Sequence, residues 1–443
     1  MTVRLDAHGK PADLFTVKLE KLTYGGAALG RLEDGRAVFV PFALPGETVR
    51  ARVVEEKRGH VRAELVEVLE PAPERIPPKC KHFFTPLARS SGEGPGVRAC
   101  GGCHHQNLSY ANQLKAKTEI LRDQLTRIGK IPDPPVQPMV PSPQEWNYRN
   151  HVQFHLTREG KLGFVAADDR SILPIAECHL PEAPLNELWP RLEFDPGLGL
   201  ERVSLRLGAD GETMLILESD ETPELEADLS VVHLREGEAV VMAGEESLTV
   251  EVRGRPFRVS AASFFQVNTA MAEKMAEHLL TCLSLPPGAT VLDVYCGVGL
   301  FSACLAPHAG RVIGIESSPS ACEDFAVNLD EFENVELYEG AAEEILPALV
   351  TQIDNLRYAV VDPPRAGLDK RALDALLALG AAPSGQPRGP GRIAYVSCDP
   401  STLARDARRL IDGGYRLTSV TPFDLFPQTY HIEAIAMFEK GQV

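Results

Sequence analysis

Cys398 is the residue of this chain that is best placed to act as a nucleophile. It follows the apolar segment 392–397, which predicts a buried strand, and a predicted helix over 401–410 begins just after it. A thiol where a strand passes into a loop lies at the ligand-binding edge of an α/β sheet. The dipole of the following helix is expected to help stabilise the thiolate. A buried core thiol is the alternative for a single cysteine.

Two residues near the C-terminus could act as a general base. Glu433 lies just before the last predicted strand, and His431 lies two residues earlier. A carboxylate or a neutral imidazole can remove a proton from a reacting carbon atom. Spacing alone does not separate the two, and either could be a structural polar residue. We take Glu433 as the candidate base and His431 as the second choice.

A nucleotide-binding turn is predicted upstream of these groups. Asp293 ends an apolar strand, and Gly297 and Gly299 behind it allow a tight turn and a close backbone approach to a ligand. Glu316 ends the next strand, 23 residues after Asp293, where an acid can accept hydrogen bonds from ribose hydroxyls. Ser302 stands where the dinucleotide fingerprint has its third glycine, which disfavours a dehydrogenase.

A further apolar strand ends in Asp362-Pro-Pro-Arg365. In methyltransferases this position faces both the methyl donor and the acceptor. An aromatic residue after the two prolines suits exocyclic amines, because its ring stacks on the base. Arg365 in that place therefore disfavours amine methylation.

One reaction needs both an activated cysteine and a base. Carbon 5 of uracil cannot attack a methyl sulfonium unaided, but a thiolate that adds to carbon 6 makes carbon 5 nucleophilic. A base must then remove the carbon-5 proton so that the thiolate can leave. A cytosine-5 enzyme is the alternative, but such enzymes usually carry a cysteine beside the proline motif, and residues 362–367 contain none.

The elements that must position these residues fall into three parts. Residues 8–72 hold five short strand-like segments separated by turn signals, which predicts a small OB-type β-barrel. Residues 263–443 alternate helices with apolar strands, which predicts a doubly wound, Rossmann-like α/β sheet. Between them, 73–108 and 131–262 are expected to form a small mixed α+β central domain.

The charge of the chain is unevenly distributed. The net charge of −17 argues against a nucleic-acid binder at first sight. Residues 1–150, however, carry 22 Lys and Arg against 17 Asp and Glu, while residues 151–443 carry 23 against 45. The local field decides where a polyanion docks, although an excess this small in the first part also fits chance.

Neither a membrane segment nor a secretory signal is visible in the sequence. No apolar run approaches the roughly 20 residues that span a bilayer, and residues 1–10 contain no apolar segment. We therefore expect a cytoplasmic protein whose nine cysteines remain reduced. The sequence does not reveal the oligomeric state, for which a monomer is the default.

Five motifs occur together in the order found in one known family. They are Ser263-Phe-Phe-Gln-Val-Asn, Asp293-x-x-Cys-Gly-x-Gly, Asp362-Pro-Pro-Arg-x-Gly, Ser397-Cys-Asp-Pro and His431-x-Glu433. Through them the chain resembles, over nearly its whole length, the RNA (uracil-5-)-methyltransferases that carry an N-terminal TRAM domain and an iron–sulfur cluster. The members it is most like act on 23S ribosomal RNA. The resemblance implies S-adenosylmethionine as methyl donor and places helix 109–130 in the catalytic domain.

The resemblance also implies a role for individual residues. Cys398 would be the nucleophile and Glu433 the base. Four residues would bind S-adenosylmethionine: Gln266, Tyr295, Glu316 and Asp362. Phe264 and Phe265 would pack near the donor and the base, although ordinary core packing is an equal alternative.

A [4Fe-4S] cluster is implied by the same resemblance. Its ligands would be Cys80, Cys100, Cys103 and Cys178. Without the family, four such cysteines would equally suggest structural zinc, for which His104 and His105 are further candidate ligands. The interval between Cys80 and Cys100 is longer than in the family, with a Gly/Ser-rich insertion over 90–96.

Structured RNA is the implied substrate, most simply 23S ribosomal RNA. A uridine in the transfer-RNA T-loop is the alternative target. A non-catalytic RNA-binding protein of the same fold is a second alternative, and the intact set of Cys398, Asp362 and Glu433 counts against it.

Overall fold

The computed structural model describes residues 14–84, 99–197, 199–223, 228–349, 352–353, 356–379 and 389–441. The first residues of the predicted barrel, 8–13, and the insertion over 90–96 lie outside these ranges. None of the helices within them is long and apolar enough to cross a membrane.

The N-terminal strands close into a barrel, which confirms the predicted OB-type fold. The strands are β1 (Leu14–Leu22), β2 (Ala27–Arg31), β3 (Ala37–Pro41), β4 (Thr48–Glu56) and β5 (His60–Glu70). Their order around the barrel is β1-β2-β3-β5-β4, and the β3–β5 pair is parallel. Alternate side chains fill the interior, as Val17 and Leu19 on β1 and Val49 and Ala51 on β4 show.

A second sheet follows the helix α1 (Tyr110–Arg127). Its elements are β6 (His151–Leu156), β7 (Leu162–Val165), β8 (Ile172–Pro174), the helix α2 (Ala183–Leu188), β9 (Arg202–Leu207), β10 (Thr213–Glu218), β11 (Ser230–Arg235) and β12 (Glu238–Ala243). The strands form one mixed sheet in the order β12-β11-β10-β9-β6-β7-β8. A separate hairpin comes next, formed by β13 (Ser247–Val252) and β14 (Arg255–Ser260).

The C-terminal part is an α/β sheet with helices on both faces, which confirms the predicted Rossmann-like fold. It contains α3 (Thr269–Leu283), β15 (Thr290–Val294), α4 (Leu300–Leu305), β16 (Arg311–Glu316), α5 (Pro319–Asn328), β17 (Val335–Glu339), α6 (Ala342–Leu349), β18 (Tyr358–Val361), α7 (Lys370–Ala378), β19 (Arg392–Ser397), α8 (Pro400–Asp412), β20 (Tyr415–Phe423) and β21 (Glu433–Lys440). The order is β17-β16-β15-β18-β19-β21-β20. The first five strands are parallel, and β21 is antiparallel to both neighbours.

The sheet order creates the place for a ligand. The chain runs outward from β15 through β16 to β17 and then returns to the other side of β15 with β18. The connections on the two sides of β15 therefore diverge, and a crevice opens at the carboxyl ends of these strands.

Two elements from outside this sheet pack on it. The hairpin β13–β14 lies against α5, where the Asn328 side chain accepts a hydrogen bond from Arg258 N at 2.7 Å and donates one to Arg258 O at 3.0 Å. The sequence predicts a boundary between the central domain and the α/β domain at residue 262. This boundary lies between the hairpin and helix α5, which the hairpin contacts. Helix α1 packs on α8, where Ser401 Oγ donates to Gln124 Oε1 at 3.3 Å.

Candidate active site

One cleft of about 1080 Å³ opens at the carboxyl ends of the central strands. It is lined by all six residues that the sequence predicted for catalysis and cofactor binding: Gln266, Tyr295, Glu316, Asp362, Cys398 and Glu433. His431 and Arg365 line it as well. Residues that are scattered over 168 positions of the sequence therefore face a single space.

The carboxylate of Glu316 is held rigidly at the end of β16. One of its oxygen atoms accepts hydrogen bonds from the backbone N–H groups of Ser317 and Ser318, both at 2.8 Å. The other accepts from Gly297 N at 2.9 Å. Because a carboxylate has about four acceptor positions, it keeps the capacity to bind a hydroxyl of a ligand in the cleft.

The glycine turn after β15 presents open backbone to the same space. Gly297 has φ of 55°, and a Cβ atom there would meet nothing within 4 Å, so a ligand can approach this backbone closely. Gly299 has φ of 93°, and a Cβ atom there would lie 2.3 Å from Leu329 Cδ1. The first glycine thus faces the cleft, while the second lets α4 pack on α5. Tyr295, with φ of 63°, also adopts the left-handed conformation.

Acidic groups make this half of the cleft suitable for a cation. Asp293 is fully buried and accepts a hydrogen bond from Ser302 Oγ at 2.6 Å, and burial raises its pKa to about 6. Burial, together with the charges of Asp293 and Glu316, raises the pKa of Asp362 to about 7. A positively charged ligand would relieve this repulsion and favour the ionised carboxylates.

Cys398 stands directly after β19, as predicted, and helix α8 begins two residues later. Asp399 caps the helix, and its Oδ1 atom accepts from Ser401 N at 2.8 Å and Thr402 N at 3.0 Å. Burial, followed by the charges of Glu433 and Asp362, raises the pKa of the Cys398 thiol to about 12. Stabilisation of the thiolate by the dipole of α8 stays a prediction, and the dipole would have to act against these effects.

The two candidate bases differ in their affinity for a proton. Glu433 is the first residue of β21 and is 6% exposed. Burial and the charge of Asp362 raise its pKa well above the usual value, while Arg365 partly offsets the increase. Burial and the charge of Arg365 lower the pKa of His431 to about 3. His431 is therefore a neutral, weak base at physiological pH.

The neighbouring residues Phe264 and Phe265 lie in different environments. Phe264 is 73% exposed at the edge of the cleft, although it is a large apolar residue. Phe265 is buried, and its ring packs against that of Phe257 with a centroid distance of 5.9 Å. Core packing thus accounts for Phe265 but not for Phe264.

The segment that leads to Glu433 is held by residues that the sequence did not single out. Lys117 of α1 is fully buried and forms an ion pair with the fully buried Asp424 at 2.6 Å. Gln113, one turn earlier on α1, exchanges two hydrogen bonds with Gln428, one with its side chain at 2.9 Å and one with its backbone N–H at 3.0 Å. Tyr148 donates from its hydroxyl to Pro427 O at 3.0 Å.

A second, smaller pocket brings the four predicted cluster cysteines together. Cys80, Cys100, Cys103 and Cys178 all line it, and all four thiols are free. Burial raises the pKa of Cys100 to about 11 and that of Cys178 to about 12. In the described parts of the chain, no group of three or more His, Cys, Asp or Glu side chains is arranged to hold a metal ion.

The two histidines considered as zinc ligands do not line this pocket, and their backbone contacts the C-terminal segment instead. The backbone N–H groups of His104 and His105 both donate to Gln428 O, at 2.8 and 3.0 Å. The His104 ring packs edge-on against Tyr430 with a centroid distance of 4.6 Å. The loop that carries Cys100 and Cys103 therefore touches the segment that leads to Glu433.

Known proteins match the chain in both of its recognisable parts. The model of the TRAM domain matches residues 13–66, and that of the tRNA (Uracil-5-)-methyltransferase family matches residues 226–441. An uncharacterised RNA methyltransferase of Streptomyces coelicolor is 35% identical, and the match covers 96% of this chain and 93% of that protein. Another, from Aquifex aeolicus, is 36% identical, with 95% and 97% covered.

A solved structure shows the same fold over nearly the whole length. It is the Pyrococcus abyssi tRNA (uracil-54, C5)-methyltransferase in complex with S-adenosyl-L-homocysteine, with a TM-score of 0.71 and 24% identity. The match covers 95% of this chain and 100% of the Pyrococcus abyssi chain. The solved structure shows the fold, while the two family models and the full-length sequence relatives show that the chain belongs to the RNA (uracil-5-)-methyltransferase family with an N-terminal TRAM domain.

Proposed function

We propose that this protein transfers a methyl group from S-adenosylmethionine to carbon 5 of a specific uridine in structured RNA, with 23S ribosomal RNA as the expected target. One observation carries the proposal. The thiol of Cys398 and the carboxylate of Glu433 face the same cleft as the acidic groups and the glycine turn. A nucleophile, a base and a nucleoside site are thus available to one substrate.

The methyl donor would occupy the half of the cleft next to β15 and β16. Glu316 has free acceptor capacity for ribose hydroxyls, and Gly297 offers open backbone. The acidic surroundings of Asp362 suit the positive charge of the sulfonium. Gln266 and Tyr295 complete the lining on this side. The Pyrococcus abyssi protein of the same fold is described in complex with S-adenosyl-L-homocysteine, the demethylated form of this donor.

The reaction can be written with these residues alone. The Cys398 sulfur bonds to carbon 6 of the uracil ring as its proton passes to water, and the electron pair of the double bond between carbons 5 and 6 moves onto carbon 5 and the neighbouring carbonyl oxygen. Carbon 5 then attacks the methyl carbon, and the bond from that carbon to the donor sulfur breaks. The Glu433 carboxylate takes the carbon-5 proton, and the electron pair left behind expels the Cys398 sulfur from carbon 6. The thiol has a high pKa, so its proton leaves together with addition to the ring rather than beforehand.

Glu433 is better suited than His431 to be the base. The raised pKa of Glu433 makes its carboxylate a stronger proton acceptor than an ordinary glutamate, whereas the low pKa of His431 makes its imidazole a weaker one. Base catalysis is most effective when the pKa lies near the working pH. The charge of Arg365, which lowers the pKa of Glu433, would help to keep the carboxylate ionised.

A direct measurement would identify the target RNA. We would map 5-methyluridine in total RNA from cells with and without the gene, and methylate transcripts of 23S ribosomal RNA and transfer RNA with the purified protein. Loss of the modification from 23S ribosomal RNA is expected. Loss from the transfer-RNA T-loop would support the second target, which the name of the matching family favours. Binding of S-adenosylmethionine without methyl transfer to any RNA would refute the proposed enzyme.

We further propose that the four cysteines hold a [4Fe-4S] cluster, with zinc as the alternative. The support is that Cys80, Cys100, Cys103 and Cys178 line one pocket and that four thiolates are the ligand set of such a cluster. Their side chains would have to turn towards one point to bind it, since those described are not arranged to hold a metal ion. Methyl transfer requires no redox step, so the bound group would stabilise the loops that carry its ligands. Protein purified without oxygen should be brown and contain iron. Colourless protein with stoichiometric zinc would overturn this assignment.

A further inference from the structure

The turn between the first two strands of the N-terminal barrel contacts the catalytic domain close to the cleft. The turn, residues 23–27, joins β1 to β2 and is closed by Thr23, whose N–H and hydroxyl both donate to Ala27 O at 2.9 and 2.8 Å. A Cβ atom on Gly26, which has φ of 82°, would lie 2.8 Å from His104 Cβ. The glycine therefore allows the turn to pack directly on the loop next to Cys103.

Tyr24, in the middle of this turn, contacts the residue that follows Cys398. Its hydroxyl donates to Asp399 Oδ2 at 3.1 Å. The other carboxylate oxygen of Asp399 caps helix α8 through the N–H groups of Ser401 and Thr402. Both oxygen atoms of Asp399 are thus engaged, one by the barrel and one by the helix. The orientation of the backbone next to the thiol depends on both.

The ring of Tyr24 also contacts the segment that leads to Glu433. It packs edge-on against the ring of Tyr430, with a centroid distance of 5.5 Å and an interplanar angle of 87°. Tyr430 in turn packs against His431 at 4.3 Å. One side chain of the barrel therefore touches the residue that follows the nucleophile and a residue three positions before the base.

We propose that Tyr24 is a positioning residue for methyl transfer, through which the barrel fixes the relative placement of Cys398 and Glu433. The inference rests on the proposed function and adds a role in the chemical step to any role of the barrel in RNA binding. Small displacements of reacting groups are sufficient for a large effect, since a misplacement of about 1 Å can slow a reaction roughly 100-fold.

The test separates the hydroxyl from the ring. Tyr24→Phe removes the hydrogen bond to Asp399 and keeps the contact with Tyr430, whereas Tyr24→Leu removes both. Tyr358→Phe is the matched control, because Tyr358 begins β18 and lies at the end of the sheet opposite the cleft. Each full-length variant is assayed with radiolabelled S-adenosylmethionine and total RNA from cells that lack the gene. KM for RNA and kcat are determined separately.

We expect Tyr24→Phe to lower kcat about tenfold, the effect of one hydrogen bond to a charged group, with KM for RNA unchanged. Tyr24→Leu should lower kcat about 100-fold, and Tyr358→Phe should match the wild type. In a Glu433→Gln background, Tyr24→Phe should slow formation of the covalent RNA adduct by the same factor as kcat, which a purely structural role in RNA docking would not do.

Two results would overturn the role of Tyr24. One is an unchanged kcat in Tyr24→Phe, and the other is a raised KM with unchanged kcat, which would confine the barrel to RNA binding. Tyr24→Phe decides the question even if Tyr24→Leu fails to fold. Failure of the proposed function is recognised separately, because the wild type would then transfer no methyl group to RNA, or Cys398→Ala would remain active, whatever the result for Tyr24.

Discussion

The cleft and the cysteine pocket are built in opposite ways. In the cleft, Glu316, Asp362 and Cys398 stand at or directly after the ends of the parallel strands β16, β18 and β19. The four cysteines of the pocket lie outside the helices and strands: Cys80, Cys100, Cys103 and Cys178. A sheet therefore positions the first set of residues, and loops position the second.

This difference indicates what each site needs in order to exist. Strand order and register place the cleft residues whatever is bound, because hydrogen bonds between strands and the buried core hold them. Loops that converge on thiols have few such bonds, and the proposed cluster would hold them together. Removing a cleft residue should thus change chemistry and leave the fold, while removing a pocket cysteine should change the fold first.

The largest effect is expected for Cys398→Ala. It deletes the atom that bonds to carbon 6, so kcat should fall at least about 10⁴-fold, while the melting temperature stays within about 2 °C. Methyl transfer to RNA and thermal unfolding are the two measurements. Cys282→Ala is the matched control, a half-buried thiol on α3 that does not line the cleft, and should keep full activity. Near-normal turnover in Cys398→Ala would remove it from the role of nucleophile.

Glu433→Gln should have the next largest effect and a distinct signature. Without a base the carbon-5 proton stays in place, so turnover should fall about 10²- to 10⁴-fold and methylated RNA should remain bonded to Cys398. A denaturing gel detects this adduct as a slowly migrating band, which should disappear in the double variant with Cys398→Ala.

The matched comparison for Glu433 is His431→Gln. Its imidazole is a weak base, so we expect a loss of less than about tenfold and no accumulated adduct. An adduct with His431→Gln and none with Glu433→Gln would exchange the roles of the two residues. Both variants keep the nucleophile, so the comparison isolates proton removal.

Cys103→Ser tests whether the pocket acts on the cleft at all. If the proposed cluster is bound there, the substitution should release it and lower the melting temperature by about 5 °C or more. Cys103 is next to His104 and His105, whose N–H groups hold Gln428 O, so kcat should also fall about tenfold. Metal content, thermal unfolding and kcat are measured together.

The affinity for S-adenosylmethionine is the control for Cys103→Ser. Glu316 and the glycine turn do not contact the loop 100–105 through any hydrogen bond among the described residues. The dissociation constant should therefore stay within about twofold of the wild type. If Cys103→Ser lost affinity for S-adenosylmethionine by as large a factor as it lost kcat, the contrast between the two sites would be contradicted. The pocket would then stabilise the whole fold, including the part that binds the methyl donor.

Residues at strand ends could be predicted from the sequence because a parallel sheet leaves little choice. An apolar run that ends in a polar residue identifies a strand and its exit, and all carboxyl ends of such strands lie at one edge. Glu316, Asp362 and Cys398 follow this rule. The pKa of the Cys398 thiol could not be judged in this way, since the neighbouring carboxylates of Glu433 and Asp362 come from other strands.

Contacts between the three parts of the chain could not be predicted from the sequence. Lys117 and Asp424 are 307 residues apart, and Tyr24 and Asp399 are 375 residues apart. Neither pair belongs to a local pattern, because each depends on how one folded part docks on another. The same reason explains the hairpin β13–β14, which is strand-like in sequence but packs on α5 rather than joining the central sheet.

The smallest change in melting temperature is expected for Asp362→Asn. The change should be an increase, opposite in sign to the decrease expected for Cys103→Ser. The pKa of Asp362 is raised from 3.8 to about 7, so the folded chain binds this proton more tightly than the unfolded chain. The stability contributed by the bound proton is present below about pH 4 and is lost as the pH rises to about 7. Asparagine stays neutral, so the variant should melt about 3 °C above the wild type at pH 8 and equal to it near pH 4.

Asp369→Asn is the control for this measurement. Asp369 caps helix α7 by accepting a hydrogen bond from Arg371 N at 2.6 Å, and asparagine caps a helix equally well, so Asp369→Asn should melt within about 1 °C of the wild type at pH 8. The expected contrast is that Asp362→Asn stabilises the protein while Cys103→Ser destabilises it. The cleft would then hold unfavourable charge that only a bound cation relieves, whereas the pocket contributes to folding. A lower melting temperature for Asp362→Asn at pH 8 would contradict this, because it would show that the ionised carboxylate supports the fold.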